Sequence, residues 1–168
     1  FETPRGLLHA VDDINISIER GRTLGVVGES GCGKSTLGRV MLRLLEPTSG
    51  QMLFEGEDIF QYNTHKLKDL KKDMQIIFQD PYSSLNPRMS VSEIIAEPLL
   101  VTKTVRGKAN IAKQIAKLMD TVGLAERLAM AYPHELDGGR RQRIGVARAL
   151  AVNPKFVVCD EPVSALDV

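Results

Sequence analysis

Cysteine, aromatic residues and net charge are all scarce in this sequence. Its 168 residues include two cysteines, no tryptophan and 5% aromatic residues, and the formal net charge is +1 at pH 7. The two cysteines, Cys32 and Cys159, are far apart and supply neither a disulfide framework nor a metal-binding pattern. Such sparse use is typical of a reducing cytoplasm. A nearly neutral chain also has no strong overall attraction to nucleic acid or anionic lipid.

Long apolar runs are absent as well. A membrane-spanning helix needs about 20 consecutive apolar residues, whereas the longest runs in this chain are the length of a strand. No secretory signal opens the sequence, which begins at Phe1 without a methionine. We interpret the chain as a segment of a longer protein. If that protein serves a membrane, we expect this segment to act at the membrane surface.

The sequence does contain an alternation of strand-like and helix-like segments. Short apolar runs predict strands at residues 24–27, 51–54, 74–78 and 156–159. Apolar residues at helical spacing predict helices over residues 37–45, 111–122 and 139–151. A turn is predicted near Glu55 and Gly56, and the Pro-containing residues 80–87 are predicted to be a loop. The alternation favours an α/β fold in which helices flank a parallel-rich sheet.

A glycine-rich loop follows the first predicted strand. It matches the phosphate-binding pattern G-x-x-x-x-G-K-[ST] and consists of Gly28, Glu29, Ser30, Gly31, Cys32, Gly33, Lys34, Ser35 and Thr36. Glycines let successive N–H groups turn inward, and the start of the following helix adds positive potential for phosphate. We predict an ATP site in which Lys34 reaches the β- and γ-phosphates, Ser35 binds Mg²⁺ and Thr36 supports the α-phosphate. We interpret Cys32 as a small loop residue rather than a nucleophile.

Two carboxylates follow the last predicted strand. Asp160 and Glu161 come directly after the apolar residues 156–159. In P-loop enzymes the first such carboxylate holds Mg²⁺, and the second can polarise the water that attacks the γ-phosphate. Many strands end in acidic turns, so the pair indicates a catalytic site only in combination with the glycine-rich loop earlier in the chain. We predict that Asp160 is a metal ligand and that Glu161 is catalytic.

The segments between these two sites resemble those of the ABC ATPase family. Residues 76–81, IIFQDP, resemble the Q-loop, and residues 136–143, LDGGRRQR, resemble the signature that is usually written L-S-G-G-Q-x-Q-R. Residues 164–167, SALD, are similar to the D-loop. The resemblance implies a P-loop NTPase fold with an ABC-ATPase core. It also implies that Gln79 contacts Mg²⁺ and the attacking water, and that Asp167 is the D-loop aspartate.

The same resemblance implies a division into domains. A RecA-like nucleotide-binding core, incomplete at both ends, is expected to comprise residues 1–79 and 136–168. Residues 80–135 are expected to form a mostly α-helical subdomain, with the signature region at its end. The switch histidine of the family would follow the D-loop beyond Val168, and Phe1 is a candidate to stack on adenine. We therefore expect little ATP hydrolysis from these 168 residues alone.

The resemblance extends to one branch of the family. Residues 80–89, DPYSSLNPRM, and 10–13, AVDD, are similar to the oligopeptide, dipeptide and nickel importers. This implies an ATPase subunit that dimerises head to tail with an identical or different ATPase subunit. It also implies two transmembrane permease subunits and an external substrate-binding protein, and no nucleic acid. The expected location is the cytoplasmic face of the plasma (inner) membrane, with peripheral attachment.

The signature departs from the family pattern at two positions. Asp137, Gly138, Gly139 and Arg140 would act on the ATP of the partner subunit, but Asp137 replaces a serine and Arg140 replaces a glutamine. The Asp137 carboxylate would repel phosphate, unless Arg140 offsets its charge or Asp137 simply caps the following helix. A regulatory ATP-binding partner with little hydrolysis of its own therefore stays an alternative, as does a non-transport ABC ATPase. The arginines of this helix are interpreted as a solvated or interface face.

Overall fold

The computed structural model describes residues 2–3, 6–7 and 9–161, and it divides after Gln61 into two compact units. The first unit contains the glycine-rich loop, and the second contains the Q-loop, the signature and the acidic pair. None of the helices in the described ranges combines the length and the apolar character needed to cross a membrane.

The first unit contains two short hairpins and one α-helix. In chain order its elements are β1 (Glu2–Thr3), β2 (Gly6–Leu7), α1 (Lys34–Met41), β3 (Leu53–Phe54), β4 (Glu57–Asp58) and a 3-10 helix (Ile59–Gln61). The turn of the second hairpin is formed by Glu55 and Gly56, both with positive φ, at 50° and 86°. Two central residues of positive φ suit the right-handed twist of hairpin strands. The predicted strand at 51–54 is thus confirmed in its second half, together with the turn.

The predicted strand at residues 24–27 is wrong for this structure. The backbone there joins none of the described ladders, and Leu24, Val26 and Val27 are all exposed. An apolar run indicates that burial would stabilise a segment. A strand also needs a neighbouring strand whose backbone can accept and donate its hydrogen bonds. Each described ladder has only two strands, and residues 24–27 are in none of them.

Helix α1 ends earlier than the apolar spacing predicts. Its last residue is Met41, and the chain then turns at Arg43, which has a φ of 53°. The Arg43 N–H donates to the Val40 carbonyl, and the Leu44 N–H donates to the Arg39 carbonyl at 2.9 Å. This is the Schellman arrangement, in which a left-handed residue satisfies the last carbonyls of a helix. An arginine occupies the position where glycine is usual, so the sequence pattern gave no warning of the helix end.

The second unit pairs a small parallel sheet with most of the helices. Its elements are α2 (Thr64–Asp73), β5 (Met74–Ile77), α3 (Pro81–Ser84), α4 (Val91–Thr102), α5 (Lys108–Thr121), α6 (Gly138–Leu150) and β6 (Phe156–Cys159), with 3-10 turns at Glu126–Leu128 and Pro133–Glu135. Strands β5 and β6 run parallel, with Met74 opposite Phe156 and Ile77 opposite Cys159. Both predicted strands are confirmed, and so is the α/β fold class.

The core of the second unit lies between α4, α5 and α6. Its fully buried side chains include Ile94, Ile95, Leu99, Met119 and Ile144. Burying a side chain of this size contributes about 1.5 to 3 kcal/mol. The helix predicted over 111–122 is confirmed as α5, and the helix predicted over 139–151 is confirmed as α6. The division into residues 1–79 with 136–168 and residues 80–135 stays a prediction.

One predicted loop contains a helix. Within residues 80–87, the Asp80 carboxylate accepts the Tyr82 N–H at 2.8 Å and starts the four-residue helix α3. Pro81 occupies the first helical position, where its missing N–H costs nothing because that group has no intrahelical partner. The proline content of residues 80–87 favours a loop, whereas Pro81 directly after an N-cap aspartate is in a position that starts a helix.

Candidate functional site

The glycine-rich loop is curled around the Lys34 ammonium group. Lys34 Nζ donates to the carbonyl oxygens of Gly28 and Glu29, both at 2.7 Å, and lies 3.8 Å from Cys32 Sγ. An ammonium group has three N–H donors, so two serve the loop backbone and the third faces the sulfur. To contact a phosphate, Lys34 has to exchange at least one of these partners. Lys34 therefore places its ammonium group against the backbone of the loop.

Two glycines of this loop have no room for a side chain. A Cβ atom on Gly33 would lie 2.0 Å from the Ala10 carbonyl oxygen, and the φ of Gly33 is 99°. A Cβ atom on Gly28 would lie 2.7 Å from Cys32 Sγ. Gly33 requires glycine because a backbone carbonyl blocks the position, whereas a side chain at Gly28 would require the Cys32 thiol to move. This close packing is what a cradle for phosphate built from main-chain groups needs.

The loop leads directly into the first turn of α1. Gly33 is the N-cap residue and, as a glycine, makes no side-chain cap hydrogen bond to the helix N-terminus. Ser35 and Thr36 lie in that first turn and are half-buried. Helix N-termini carry N–H groups without an intrahelical partner and a partial positive charge. The loop residues are thus of the kind that can hold a phosphate chain, and the ATP site stays a prediction.

In the second unit, the polar residues that follow the two parallel strands lie at the same edge of the sheet. The Asp160 N–H donates to the Ile77 carbonyl at 2.9 Å, which continues the β5–β6 ladder by one residue. Just beyond it, Gln79 Nε2 donates to Glu161 Oε2 at 2.6 Å. The carboxyl ends of parallel strands are where α/β proteins place their ligand-binding residues. The structure thus brings together two predicted site residues that are 82 positions apart in the chain.

The contact between Gln79 and Glu161 orients both side chains. The amide nitrogen of Gln79 is directed at the carboxylate, so the amide oxygen of Gln79 is left to accept a hydrogen bond or bind a metal. Glu161 has a φ of 46°, a left-handed conformation that is uncommon for a residue other than glycine. Backbone strain of this kind is often found where a side chain must point in a particular direction. The arrangement suits a carboxylate that is held in place as an acceptor.

The signature residue Asp137 caps α6 and pairs with Arg140. One of its oxygens, Oδ1, accepts the Arg140 N–H at 2.7 Å, and Oδ2 lies 3.3 Å from Arg140 Nη1. The two side chains are about half exposed, at 59% and 49%. Gly138 and Gly139 open the helix between them. The charge offset and the helix cap were alternatives at the level of sequence, and the structure contains both.

The other arginines of α6 are tied to backbone carbonyls of neighbouring segments. Arg141 Nε donates to the Pro133 carbonyl at 2.7 Å and Arg148 Nη1 donates to the Ser84 carbonyl at 2.6 Å. Burial lowers the pKa of Arg148, and the Glu97 carboxylate opposes that shift. Arg143 Nη1, although exposed, donates to two carbonyls at the end of α5. The solvated or interface face stays a prediction, and the structure adds that these three guanidinium groups also hold neighbouring segments through their backbone carbonyls.

A buried glutamine of α6 was missed by the sequence analysis. Gln142 is 3% exposed, and its Nε2 donates to the Phe78 carbonyl at 3.4 Å. Phe78 directly precedes Gln79, so the signature helix bonds to the backbone at the start of the Q-loop. A sequence signal existed, since Gln142 precedes the apolar residues Val146 and Ala149 by four and seven positions, which is the spacing of one helix face. Nothing in the spacing said which backbone group Gln142 would reach.

Some predicted positions lie outside the described residues. These are Phe1, the candidate for stacking on adenine, and the D-loop with Asp167. Among the described residues, no three His, Cys, Asp or Glu side chains converge in a cluster suited to a metal ion. Magnesium in nucleotide sites usually takes one or two protein ligands and fills its remaining positions with phosphate oxygens and water. Ser35 and Asp160 are residues of the type that such a site uses.

Comparisons with known proteins agree with the motifs. The family profile described as ABC transporter matches residues 11–164. The chain is 54% identical over 169 aligned residues to the oligopeptide transport ATP-binding protein OppF of Bacillus subtilis (strain 168), with all of the chain and 55% of the relative covered. The chain thus spans about half the length of this relative.

Solved structures agree with the fold. The chain is similar to MJ0796, described as a bacterial ABC transporter cassette and solved as a dimer, with a TM-score of 0.89 and 29% identity over 99% of this chain and 72% of the other. A second structure of the same cassette, in a post-hydrolysis state bound to ADP and Pi, gives a TM-score of 0.86 at 29% identity, with coverage of 94% and 68%. At this similarity the P-loop NTPase fold is shown.

Proposed function

The chain belongs to the ABC transporter family, and on that premise we propose that it is the ATP-binding and ATP-hydrolysing part of a peptide importer. The reaction would convert ATP and water to ADP and phosphate, coupled to import of oligopeptides or dipeptides. The observation that carries the proposal is the 2.6 Å contact between Gln79 and Glu161. It joins the Q-loop, which is specific to this family, to the carboxylate that P-loop enzymes use in hydrolysis.

We assign the binding of ATP to the glycine-rich loop. Lys34, whose ammonium group lies within the loop, would exchange its carbonyl partners for the β- and γ-phosphates. The main-chain N–H groups of residues 28–36 would hold the phosphate oxygens, with Thr36 at the α-phosphate end. Mg²⁺ would supply positive charge that neutralises the phosphates, with Ser35, Gln79 and Asp160 as its protein ligands.

We assign hydrolysis to Glu161, with Gln79 as its positioning residue. A carboxylate held as an acceptor can take a hydrogen bond from a water molecule and raise its nucleophilicity. The Gln79 amide holds the Glu161 carboxylate in one orientation, and a carboxylate in a fixed orientation can direct that water. Positioning and electrostatic stabilisation supply most of the rate enhancement in phosphoryl transfer, so a fixed carboxylate is of direct use.

We further propose that two such domains assemble head to tail, as identical or different subunits. The similar cassette MJ0796 was solved as a dimer. In this arrangement residues 137–140 and Asp167 would act at the ATP of the partner. Two permease subunits and an external substrate-binding protein would complete the importer, with this chain attached to the cytoplasmic face of the membrane. No nucleic acid partner is proposed, because three of the α6 arginines are bonded to backbone carbonyls.

A regulatory ATP-binding partner is the second candidate function, and Asp137 is the observation that favours it. A carboxylate facing phosphate weakens the closed dimer unless it is neutralised. The contact of Asp137 with Arg140 at 3.3 Å reduces this repulsion between carboxylate and phosphate. Measuring ATP hydrolysis by the assembled transporter with Glu161→Gln in this subunit alone distinguishes the two functions. Loss of hydrolysis supports catalysis here, whereas unchanged hydrolysis supports the regulatory function.

Binding of ATP·Mg²⁺ is tested by calorimetry on the Lys34→Ala variant. We expect a loss of affinity of at least tenfold, since a hydrogen bond to a charged group contributes about 1.5 to 3 kcal/mol. Lys68→Ala, which removes an exposed lysine of α2, is the matched control and should bind as the wild type does. Equal affinity of wild type and Lys34→Ala would refute the site.

Hydrolysis by the 168 residues alone should be negligible. The switch histidine of the family is not among these residues, so the positioning of the γ-phosphate is incomplete. A phosphate-release assay on the purified 168-residue chain checks this expectation. Sustained turnover that disappears in Glu161→Gln would contradict it.

A further inference from the structure

Two polar side chains are buried in the part of the chain that the structure describes. They are Ser90 and Gln142, which are 2% and 3% exposed. A buried polar group costs free energy unless it forms a hydrogen bond. Ser90 forms its bonds as the cap of α4, where its hydroxyl contacts both the N–H and the carboxylate of Glu93. Gln142 lies in the interior of α6 and caps neither end of it, so the reason for its burial is the group that its amide contacts.

The group that the Gln142 amide contacts is the backbone directly before Gln79. Nε2 of Gln142 donates to the Phe78 carbonyl at 3.4 Å. The carbonyl of residue 78 and the N–H of residue 79 belong to one planar peptide unit. A bond that holds this carbonyl therefore also fixes the direction from which the chain enters Gln79. The distance is at the long end of the hydrogen-bond range, but the exclusion of water around Gln142 strengthens the contact.

The chain on either side of this peptide unit is held by other elements. Before it, the Ile77 carbonyl accepts the Asp160 N–H at 2.9 Å. After it comes α3, whose last residue, Ser84, accepts a hydrogen bond from Arg148 of α6 through its carbonyl at 2.6 Å. Gln79 thus lies between two anchored segments. The peptide unit next to it is the one that the buried glutamine of α6 holds.

We propose that Gln142 is a positioning residue for Gln79 and, through it, for Glu161. Gln142 holds the Phe78 carbonyl, this peptide unit sets the position of Gln79, and Gln79 Nε2 orients the Glu161 carboxylate at 2.6 Å. Without the Gln142 amide the peptide unit is free to rotate, and the carboxylate loses the partner that directs it towards the attacking water. The role of Gln142 rests on the proposed function, because it adds a residue to the hydrolysis assigned to Glu161.

The test measures steady-state ATP hydrolysis by the assembled transporter, with each variant placed in the full-length subunit that contains this chain. Gln142→Met keeps the length of the side chain and removes the donor. We expect kcat to fall about ten- to a hundredfold, since a small misplacement of a catalytic group has an effect of this size. KM for ATP should stay at the wild-type value, because an interaction used only in the chemical step changes kcat and kcat/KM equally. Gln142→Asn, whose amide is too short to reach the Phe78 carbonyl, should show the same loss.

A double-mutant cycle with Gln79→Ala separates a positioning residue from a structural one. In the Gln79→Ala background, Gln142→Met should not lower kcat further, because the route to Glu161 is already lost. A purely structural role predicts that the two effects multiply. Ser90→Ala is the matched control, since it also removes the hydrogen bonds of a buried polar side chain in the same unit. It should lower stability in urea unfolding and leave kcat at the wild-type value.

Three outcomes overturn the proposal. They are wild-type kcat in folded Gln142→Met and Gln142→Asn, multiplying effects in the cycle, and an equal loss of kcat in Ser90→Ala. Glu161→Gln is measured alongside them. If Glu161→Gln abolishes hydrolysis while the Gln142 variants hydrolyse normally, the positioning role is refuted and the proposed function stands. If Glu161→Gln hydrolyses normally, the proposed function is refuted and the positioning role with it, so the two failures are distinguishable.

Discussion

Replacing Asp137 by serine separates the two roles that this carboxylate has in the structure. Its Oδ1 atom caps α6 by accepting the Arg140 N–H at 2.7 Å. Its negative charge, in the proposed dimer, faces the phosphates of the partner's ATP. Serine caps helices about as well as aspartate does, so Asp137→Ser removes the charge and keeps the cap. Asp137→Ala removes both and is the matched comparison.

The expected magnitudes differ for the two roles. Loss of the cap in Asp137→Ala should cost about 1 kcal/mol of folding stability, whereas Asp137→Ser should change it by less than about 0.5 kcal/mol. Two unit charges about 4 Å apart repel by about 4 kcal/mol at an effective dielectric near 20. Arg140 lies 3.3 Å from Asp137 and offsets part of this. We therefore expect Asp137→Ser to strengthen ATP-dependent dimerisation by about 1 to 2 kcal/mol.

The assay is ATP-dependent dimerisation of the full-length protein, measured by analytical ultracentrifugation on a Glu161→Gln background that slows hydrolysis. ATP affinity of the monomer should not change, because the charge acts on the partner's nucleotide. Arg140→Gln with Asp137 retained should weaken the dimer, and a double-mutant cycle gives the coupling between the two residues. If Asp137→Ser leaves the dimer affinity unchanged, the charge-repulsion argument is wrong and Asp137 serves only as a helix cap.

Two further predictions concern the loop and the capping of α4. Gly33→Ala should destabilise the glycine-rich loop and abolish ATP binding in calorimetry, because its Cβ would lie 2.0 Å from the Ala10 carbonyl oxygen; wild-type affinity would contradict the cradle. Ser90→Ala should cost about 1 kcal/mol in urea unfolding, since Ser90 caps α4 and donates to Glu93. Hydrogen bonds from the Ser90 backbone N–H and hydroxyl hold the pKa of Glu93 below its ordinary value of 4.5. The stability that Glu93 provides should thus be full above that value and fall at lower pH, and Glu93→Gln should remove that part of the slope.

Prediction from sequence worked best where the local pattern itself determines the structure. The glycine-rich loop is one case, because G-x-x-x-x-G-K-[ST] specifies the backbone path, and Gly33 is indeed confined by Ala10. The capping of α6 by Asp137 is another, since aspartate before two glycines and a run of polar residues is a local signal. The strands β5 and β6 were also found from short apolar runs bounded by polar residues.

Prediction failed where the outcome depends on a distant partner. Residues 24–27 have the composition of a buried strand, yet the described structure gives them no adjacent strand. The end of α1 depends on Arg43, which adopts a left-handed conformation and pairs with Glu46 at 3.0 Å. The contact between Gln79 and Glu161 crosses 82 positions. Both residues were identified individually, but only the fold could show that they touch.

The hydrogen bonds of the α6 arginines influence which segments of this protein can change in sequence. Arg141, Arg143 and Arg148 bond to main-chain carbonyls, and a carbonyl is present whatever side chain its residue carries. The held segments, including the end of α3, can therefore exchange side chains without losing these bonds, except at Gly123, where a Cβ atom would lie 2.5 Å from Arg143 Nη1. The arginines themselves have no such freedom, because lysine cannot reproduce the fixed fork of a guanidinium group. Segment exchange between related cassettes should succeed at the loops and fail at the helix that holds them.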